Sequence, residues 1–270
     1  MADDSPLSVA GLAPAFAKDR SALVVYLMAG YPDAERSLAA MRAAAASGAD
    51  LIELGVPYGD ALADGPVIAR AAGDAMRSNP GGFGLAEAID LAATFITDPG
   101  VDDPPPVALM TYINPILRMG YTETAARMRA AGIAGVIVPD MPPDVASAWL
   151  CAASGLDTVF LAAPTSTPER LAKVGEMSDG FVYAVSTTGI TGERDRLSDA
   201  IPALVKRVRA FTKLPVAVGF GISTPEQAAE IAAFADGVIV GSACVKRQPD
   251  AEELGDFVSQ LARAVHGERG

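Results

Sequence analysis

Two groups of residues in this chain have the types and spacing to do chemistry. The first is the run Glu53-Leu54-Gly55-Val56-Pro57-Tyr58-Gly59-Asp60-Ala61-Leu62-Ala63-Asp64-Gly65-Pro66, which carries two carboxylates, Glu53 and Asp64, on either side of a loop. Glu53 is embedded in an apolar stretch. A carboxylate desolvated by such neighbours keeps its proton to higher pH, which suits an acid/base catalyst working near neutrality. A second arrangement is open to it: an outward-facing side chain paired with a helical Lys or Arg. Asp64 closes a loop able to fold over a binding mouth, and Asp60 between them is equally suited to a turn or a cap.

The second group is three glycine-bearing segments late in the chain: Ser186-Thr187-Thr188-Gly189-Ile190-Thr191-Gly192, Gly219-Phe220-Gly221-Ile222-Ser223 and Gly241-Ser242-Ala243. Glycine lets backbone N–H groups approach an anion closely. Ser242 opens a short helical stretch whose N-terminus adds a positive dipole. Such a cradle holds a phosphate on backbone donors without a lysine.

Other chemistries are excluded by what is scarce. His266 is the single histidine and lies near the C-terminus, which argues against Ser–His and Cys–His nucleophile systems and against a His-ligated zinc site. The two cysteines, Cys151 and Cys244, fit no Cys-x-x-Cys spacing and read as small buried hydrophobes in a reducing compartment. With 21 Lys and Arg against 33 Asp and Glu, the formal charge of -12 argues against binding nucleic acid or an anionic membrane. No basic leader with an apolar core precedes the chain, and no run approaches the roughly 18 apolar residues that span a bilayer. The expectation is a soluble, cytoplasmic protein.

The elements that must carry these residues alternate almost from end to end. Short apolar runs rich in Val, Ile and Leu occur at Ala22–Met28, Asp50–Leu54, Val107–Thr111, Gly135–Val138, Thr158–Ala162, Phe181–Val185, Pro215–Val218 and Gly237–Val240. They lack polar alternation, as strands covered on both faces do. Helical segments separate them. Thr167-Pro168-Glu169 and Thr224-Pro225-Glu226 each read as an N-cap, a first-turn proline and a first-turn acid. Pro142-Pro143-Asp144 introduces a helix over Val145–Cys151, and Leu38–Ser47 is an alanine-rich helix.

Eight strand–helix units with no break between domains predict one α/β domain over residues 1–270, a single (β/α)8 (TIM) barrel, rather than a doubly wound open sheet. An extra N-terminal helix, Ser8 to Arg20, is placed to plug its lower end. Catalytic groups of this fold sit at the C-terminal ends of the strands, and the loops after the seventh and eighth strands are its usual phosphate site. Both residue groups fall in those places.

At this level of detail the chain resembles the tryptophan synthase alpha subunit over nearly its whole length. The resemblance is carried by Gly30-Tyr31-Pro32-Asp33, Glu53-Leu54-Gly55-Val56-Pro57-Tyr58, Leu62-Ala63-Asp64-Gly65-Pro66, Thr111-Tyr112-Ile113-Asn114-Pro115 and Pro139-Asp140-Met141-Pro142, and continues through Ala163-Pro164-Thr165, Phe181-Val182-Tyr183 and the three glycine segments.

The resemblance implies a retro-aldol lyase that cleaves indole-3-glycerol phosphate to indole and glyceraldehyde 3-phosphate. It implies Glu53 as general acid/base, Asp64 as acceptor for the indole N–H, and Tyr183 beside the catalytic glutamate. Tyr112 and Asn114 would shape the mouth. The phosphate would rest on Gly192, Gly221, Gly241 and Ser242. Tyr26, Met110, Ile137, Leu161 and Phe220 are candidates for the indole slot, the first four being equally suited to ordinary barrel core. Thr191 lies in the loop that closes over substrate.

The resemblance also implies a beta-subunit partner in an alpha2-beta2 complex. Pyridoxal phosphate belongs to that partner, and no cofactor or metal is expected in this chain. One departure concerns the loop that faces the partner. Where the family usually reads Ser-Asp-Pro after the tyrosine, this chain has Gly59-Asp60-Ala61, a more flexible segment at the expected interface residues Asp60 and Ala61. A stand-alone indole-releasing lyase and a non-catalytic activator of a beta subunit are the competing readings.

Overall fold

Strands buried on both faces need helices on one side and a filled interior on the other, and the chain folds accordingly. A computed structural model describes residues 11–17, 19–60, 64–185, 200–219 and 221–267. Its strands are β1 (Ala22–Met28), β2 (Leu51–Gly55), β3 (Val107–Met110), β4 (Gly135–Ile137), β5 (Asp157–Val159), β6 (Leu161–Ala162), β7 (Val182–Val185), β8 (Val216–Gly219) and β9 (Gly237–Val240). All ladders are parallel, in the order β5-β4-β3-β2-β1-β9-β8-β7-β6, with helices between them. The fold is the expected TIM barrel.

The expected strand Thr158–Ala162 is divided at Phe160. Its first half pairs with β4 through Ile137 and Val159, and its second with β7 through Leu161 and Tyr183. The Phe160 carbonyl accepts from Tyr183 N at 3.1 Å. Nine short strands thus fill eight positions, and the ring is joined covalently where one segment changes partner.

Asp50 lies outside the second strand, contrary to the sequence expectation. Its buried carboxylate accepts from Leu23 N at 2.9 Å, from both terminal nitrogens of Arg20 at 2.9 Å, and lies 2.8 Å from His266 Nε2. These contacts tie the last helix, Ala251–His266, to the lower rim, which is where the single histidine resides.

Alternation along each strand sorts side chains between two layers. Leu23, Val25 and Leu27 pack outward under the helices, whereas Val24, Tyr26 and Met28 join an inner cluster with Ala108, Met110, Ile137, Val159, Phe181, Tyr183, Ala217 and Ile239. The lower end of this interior is plugged, as expected, but by less helix than Ser8–Arg20. Among the described residues the element is one 3-10 turn, Ala13–Phe16, following Gly11. Leu12 is fully buried, worth about 1.5–3 kcal/mol for a side chain of its size. Its N–H donates to Asp157 Oδ2 at 2.6 Å, and the Phe16 ring stands 5.1 Å from that of Phe181. A Cβ on Gly135 or Gly180 would meet Leu12 at 2.6 and 2.8 Å, so glycine makes room for the plug.

The threonine caps form as read: Thr167 accepts from Arg170 N and Thr224 from Gln227 N, both at 3.3 Å. The helix expected over Val145–Cys151 begins later. Pro143–Val145 is a 3-10 turn and the α-helix runs Ser147–Ala152, anchored by buried Trp149. Cys151 sits on the outer face of that short helix and is exposed, correcting the expectation that both cysteines are buried. Cys244 is buried, and burial pushes its thiol up to about 12, which leaves it inert.

Candidate active site

The inward phase of β2 places Glu53 inside the barrel, in register with Tyr26 of β1 and Ala108 of β3. The outward, ion-paired arrangement is therefore excluded; Ile52 and Leu54 take that face. Glu53 is fully buried, and neither carboxylate oxygen has a hydrogen-bond partner among the described residues. Burial first, and the nearby Asp64 charge second, raise its pKa to about 8. A charged group without partners in such a place is costly, so at neutral pH Glu53 holds a proton.

Asp64 stands two residues before the helix Pro66–Ser78, which packs against β1 and the helix Ser242–Arg247. It is half-buried. Burial raises its pKa to about 6, and a hydrogen bond from the Tyr112 side chain acts in the opposite direction. The two carboxylates are thus pushed apart in acidity. Near pH 7 the pair carries one proton, held chiefly by Glu53, with Asp64 as the anion.

Two phenols complete this chamber. Tyr183 and Tyr26 are both buried, and burial raises the pKa of each well above the ordinary tyrosine value, with the charges of Glu53 and Asp64 adding to it. Both phenols therefore keep their protons near neutral pH. The residues two positions beyond their register partners on the neighbouring strands, Gly55 and Gly219, are glycines for a steric reason. A Cβ on Gly55 would sit 2.0 Å from the Tyr26 hydroxyl oxygen, and one on Gly219 would sit 2.4 Å from that of Tyr183. Gly219, which the sequence groups with an anion loop, is therefore explained by Tyr183.

Met110, Ile137 and Leu161 belong to the same inner cluster as Tyr26 and Tyr183; Ile137 is fully buried and Leu161 only partly. Among the described residues, those around Glu53 in the inner cluster are apolar apart from the two phenols. Gly221 adopts φ +79°, a left-handed conformation that favours glycine. Gly241 caps the helix Ser242–Arg247, and its carbonyl accepts from Cys244 N and Val245 N at 2.9 and 3.0 Å. The N–H groups of Ser242 and Ala243 start that helix and have no intrahelical acceptor by construction. A Cβ at Gly241 would make only ordinary contacts, 3.7–3.9 Å, with Ile68 and Tyr26. Packing among the described residues does not demand glycine there; close approach of a ligand would.

Asp60 is exposed beyond the end of β2. Ala61, Thr191, Gly192 and Phe220 lie outside the described residues.

Sequence reasoning placed Tyr112 only at the mouth and missed its influence on the acidity of Asp64. It also missed the aromatic pair it forms with Tyr58, ring centroids 5.3 Å apart. Asn114 Nδ2 donates to the Tyr58 hydroxyl at 2.9 Å, and Ile113 N donates to Asp140 Oδ1 at 2.9 Å, so the loops after β2, β3 and β4 are linked at the rim. The available signal was three polar or aromatic residues directly after a strand end, Thr111, Tyr112 and Asn114. Among the described residues no group of His, Cys, Asp and Glu is placed to hold a metal ion, and no helix is long and apolar enough to cross a membrane.

A barrel with a buried acid, unpartnered among the described residues, beside an ionised one, with glycines at the strand ends, defines an acid/base enzyme of the (β/α)8 class. Residues 12–266 match the family model described as tryptophan synthase alpha chain. Curated tryptophan synthase alpha chains from Mycobacterium tuberculosis and Mycobacterium avium are 49% and 46% identical to it. Their alignments cover 85% and 91% of this chain and 83% and 92% of the relatives.

Among solved structures, tryptophan synthase from M. tuberculosis superposes with TM-score 0.85 at 44% identity, covering 95% of this chain and 99% of that one. The tryptophan synthase subunit alpha of Legionella pneumophila superposes with TM-score 0.82 at 33% identity, covering 92% and 93%. The chain belongs to the tryptophan synthase alpha chain family. It is a carbon–carbon lyase of tryptophan biosynthesis, performing the alpha reaction, cleavage of indole-3-glycerol phosphate.

Proposed function

We propose that Glu53, Asp64 and Tyr183 carry the cleavage of indole-3-glycerol phosphate, with the indole inside the barrel and the phosphate at the rim. The bond between indole C3 and the side chain breaks only if the ring can take the electrons back as a neutral molecule. Glu53 in its acid form protonates indole C3, which puts positive charge on the ring nitrogen side. The ionised Asp64 accepts a hydrogen bond from the indole N–H and stabilises that charge. The Glu53 carboxylate then takes the proton of the side-chain hydroxyl. As that oxygen becomes the aldehyde of glyceraldehyde 3-phosphate, the carbon–carbon bond electrons return to the ring.

One proton enters and one leaves through the same residue, so Glu53 is restored at the end of the cycle. The observation that carries this reading is the buried Glu53 carboxyl, free of hydrogen-bond partners among the described residues and held to a pKa about 8 beside Asp64. Tyr183 and Tyr26 flank it, and Met110, Ile137 and Leu161 supply the apolar wall for the ring; Phe220 is assigned to the same slot.

The phosphate is assigned to backbone donors at Gly192, Gly221 and Gly241 and to Ser242, whose helix start favours negative charge. Thr191 is assigned to the loop closing over the substrate. The steps need proton transfer and hydrogen bonding alone, so no cofactor is invoked. Replacing Glu53 with Gln tests the reading: turnover should fall by roughly 10²–10⁴-fold while the chain still folds and binds a phosphate-bearing substrate analogue. Unchanged turnover would remove Glu53 from the mechanism.

A tryptophan synthase beta subunit is the proposed partner, in an alpha2-beta2 assembly, with Asp60 and Ala61 at the contact. Among the described residues nothing within 4 Å would meet a Cβ at Gly59, so their packing does not select glycine there. Cleavage measured with and without a beta subunit tests the partnership. Strong activation supports it, and equal rates would support a stand-alone lyase.

A further inference from the structure

We infer that the turn after β1 is a splint between the two ends of the site, with Gln248 and Asn79 as the positioning residues that set the separation of Asp64 from Ser242. The inference rests on the roles proposed above for Asp64 and Ser242 and deepens them.

The helices Pro66–Ser78 and Ser242–Arg247 differ from the others in what they cover. Ala71, Ala72 and Ala75 of the first join the inner cluster with Tyr26 and Tyr31. Val245 of the second joins it too, while Ala243 and Cys244 reach the outer layer. Each is followed by another helix, Leu85–Ile96 and Ala251–His266, whose buried residues all lie in the outer layer. Closure of the barrel seats those outer helices; the two inner ones need a further fixing. They touch each other, and a Cβ on Gly241 would stand 3.7 Å from Ile68. Contact among alanines and aliphatic chains is non-directional, so it brings the helices close without setting their offset.

Directional contacts come from the ends of both helices. The pairing of β1 with β9 stops at Val25 and Val240, so among the described residues no strand flanks Met28 on that side. The Gln248 amide takes the place of one. Its Oε1 accepts from Met28 N at 2.9 Å, and its Nε2 donates to the Met28 and Tyr31 carbonyls at 2.7 and 2.9 Å. A primary amide offers the donor and the acceptor of a peptide, and so continues the ladder. Gln248 is fully buried and directly follows Ser242–Arg247.

Asn79 directly follows Pro66–Ser78. Its Nδ2 donates to the Gly30 carbonyl at 2.9 Å, and its Oδ1 accepts from Ala34 N at 3.0 Å. The buried Ser37 hydroxyl accepts from Gly30 N at 3.1 Å and steadies the turn as well. The helix that Asp64 precedes and the helix that Ser242 opens are thus bonded to one turn, Met28–Tyr31. A substrate held by its ring at one helix start and by its phosphate at the other needs that span to be fixed.

Indole-propanol phosphate carries ring and phosphate on one chain and so reads the span, whereas indole and glycerol 3-phosphate each read one end. In Asn79→Ala and Gln248→Met, well below their melting midpoints, affinity for indole-propanol phosphate should fall roughly ten- to hundredfold, the range for a misplacement of about 1 Å. The value of kcat/KM on indole-3-glycerol phosphate should fall with it. Affinities for indole alone and glycerol 3-phosphate alone should stay within about twofold of wild type, because each end is intact. Asn79 is only partly buried, so Asn79→Ala should fold and carry the test even where Gln248→Met, which strands buried groups of Met28 and Tyr31, does not.

A purely structural role predicts that the three ligands weaken together or not at all; either result overturns the proposal. Ser242→Asp in the otherwise unaltered chain tests the parent reading separately. Its added charge should repel glycerol 3-phosphate while suiting the helix start. Glycerol 3-phosphate bound as well by that variant as by wild type would remove the phosphate from Ser242, and this inference with it. Ligands that weaken together in Asn79→Ala overturn the inference alone.

Discussion

Tyr26 on β1 lies across Gly55 on β2 so closely that a Cβ at position 55 would stand 2.0 Å from its hydroxyl oxygen and 2.5 Å from the adjoining ring carbon. The ring is rigid and enclosed, so it cannot yield as the tip of a lysine would. Gly55→Ala should therefore displace Tyr26 and cost about 1–3 kcal/mol, as overpacking does. Turnover should fall with it, because Tyr26 neighbours Glu53 in register. Adding Tyr26→Ala to Gly55→Ala should cost less stability than the two single losses summed, a coupling that thermal melts of the four proteins would measure. Simple additivity would mean that the ring and the glycine do not constrain each other.

Glu53 should make the protein less stable as pH rises. Its folded pKa of about 8 lies above its ordinary value of 4.5. The native state thus holds an extra proton between those values, and stability falls with pH across that window. Glu53→Gln has no such proton. Relative to wild type its stability should rise from pH 4.5 to pH 8 by on the order of 4 kcal/mol and level off above. Urea melts of both proteins at pH 5, 7 and 9 give the comparison. A constant difference would mean that Glu53 is not buried as a neutral acid.

The rate of indole-3-glycerol phosphate cleavage should follow a bell in pH. Asp64 must be ionised and Glu53 protonated, so kcat/KM should fall below about 6 and above about 8. These limbs belong to the interacting pair rather than to either residue alone. Asp64→Asn should lower the rate and flatten the acid limb. A profile level from pH 5 to pH 9 would deny the pair its role.

Much of this was legible in the chain, and the exceptions have a common cause. Strand positions followed from apolar runs, and Glu53 stood out as a carboxylate within one. The helix caps at Thr167 and Thr224 are local events three residues long, and they form as read. What could not be read was any property set by a distant neighbour. Asp50 looks like the start of a strand until Arg20 and His266 are brought to its carboxylate.

Gly219 looks like an anion loop until Tyr183 is seen against it. Tyr112 and Asp64 are separated by a helix pair and a strand, and no spacing rule joins them. Gln248, which bonds Met28 N at 2.9 Å and the Met28 and Tyr31 carbonyls at 2.7 and 2.9 Å, clamps the loop after β1 from more than two hundred residues away. Side-chain reach across a closed barrel is a tertiary quantity. It exists only once the ring has formed.

The lower plug and the upper chamber should be separable by mutation. Leu12 fills the strand-start end of the barrel, against Gly135 and Gly180, whereas Glu53 and Asp64 serve the other end. Leu12→Ala removes a fully buried side chain and should cost about 2–5 kcal/mol, the range for such a cavity in a packed core. Well below the variant's melting point, kcat and KM should stay near wild type, since no atom of the chamber moves directly. Asp157→Asn, which weakens the acceptor for Leu12 N, should give a smaller loss of stability and the same indifference in rate. Thermal melts paired with steady-state assays at one low temperature would read both effects. A rate that falls in step with stability would show instead that the plug sets the geometry of the chamber, through the interior side chains stacked between them.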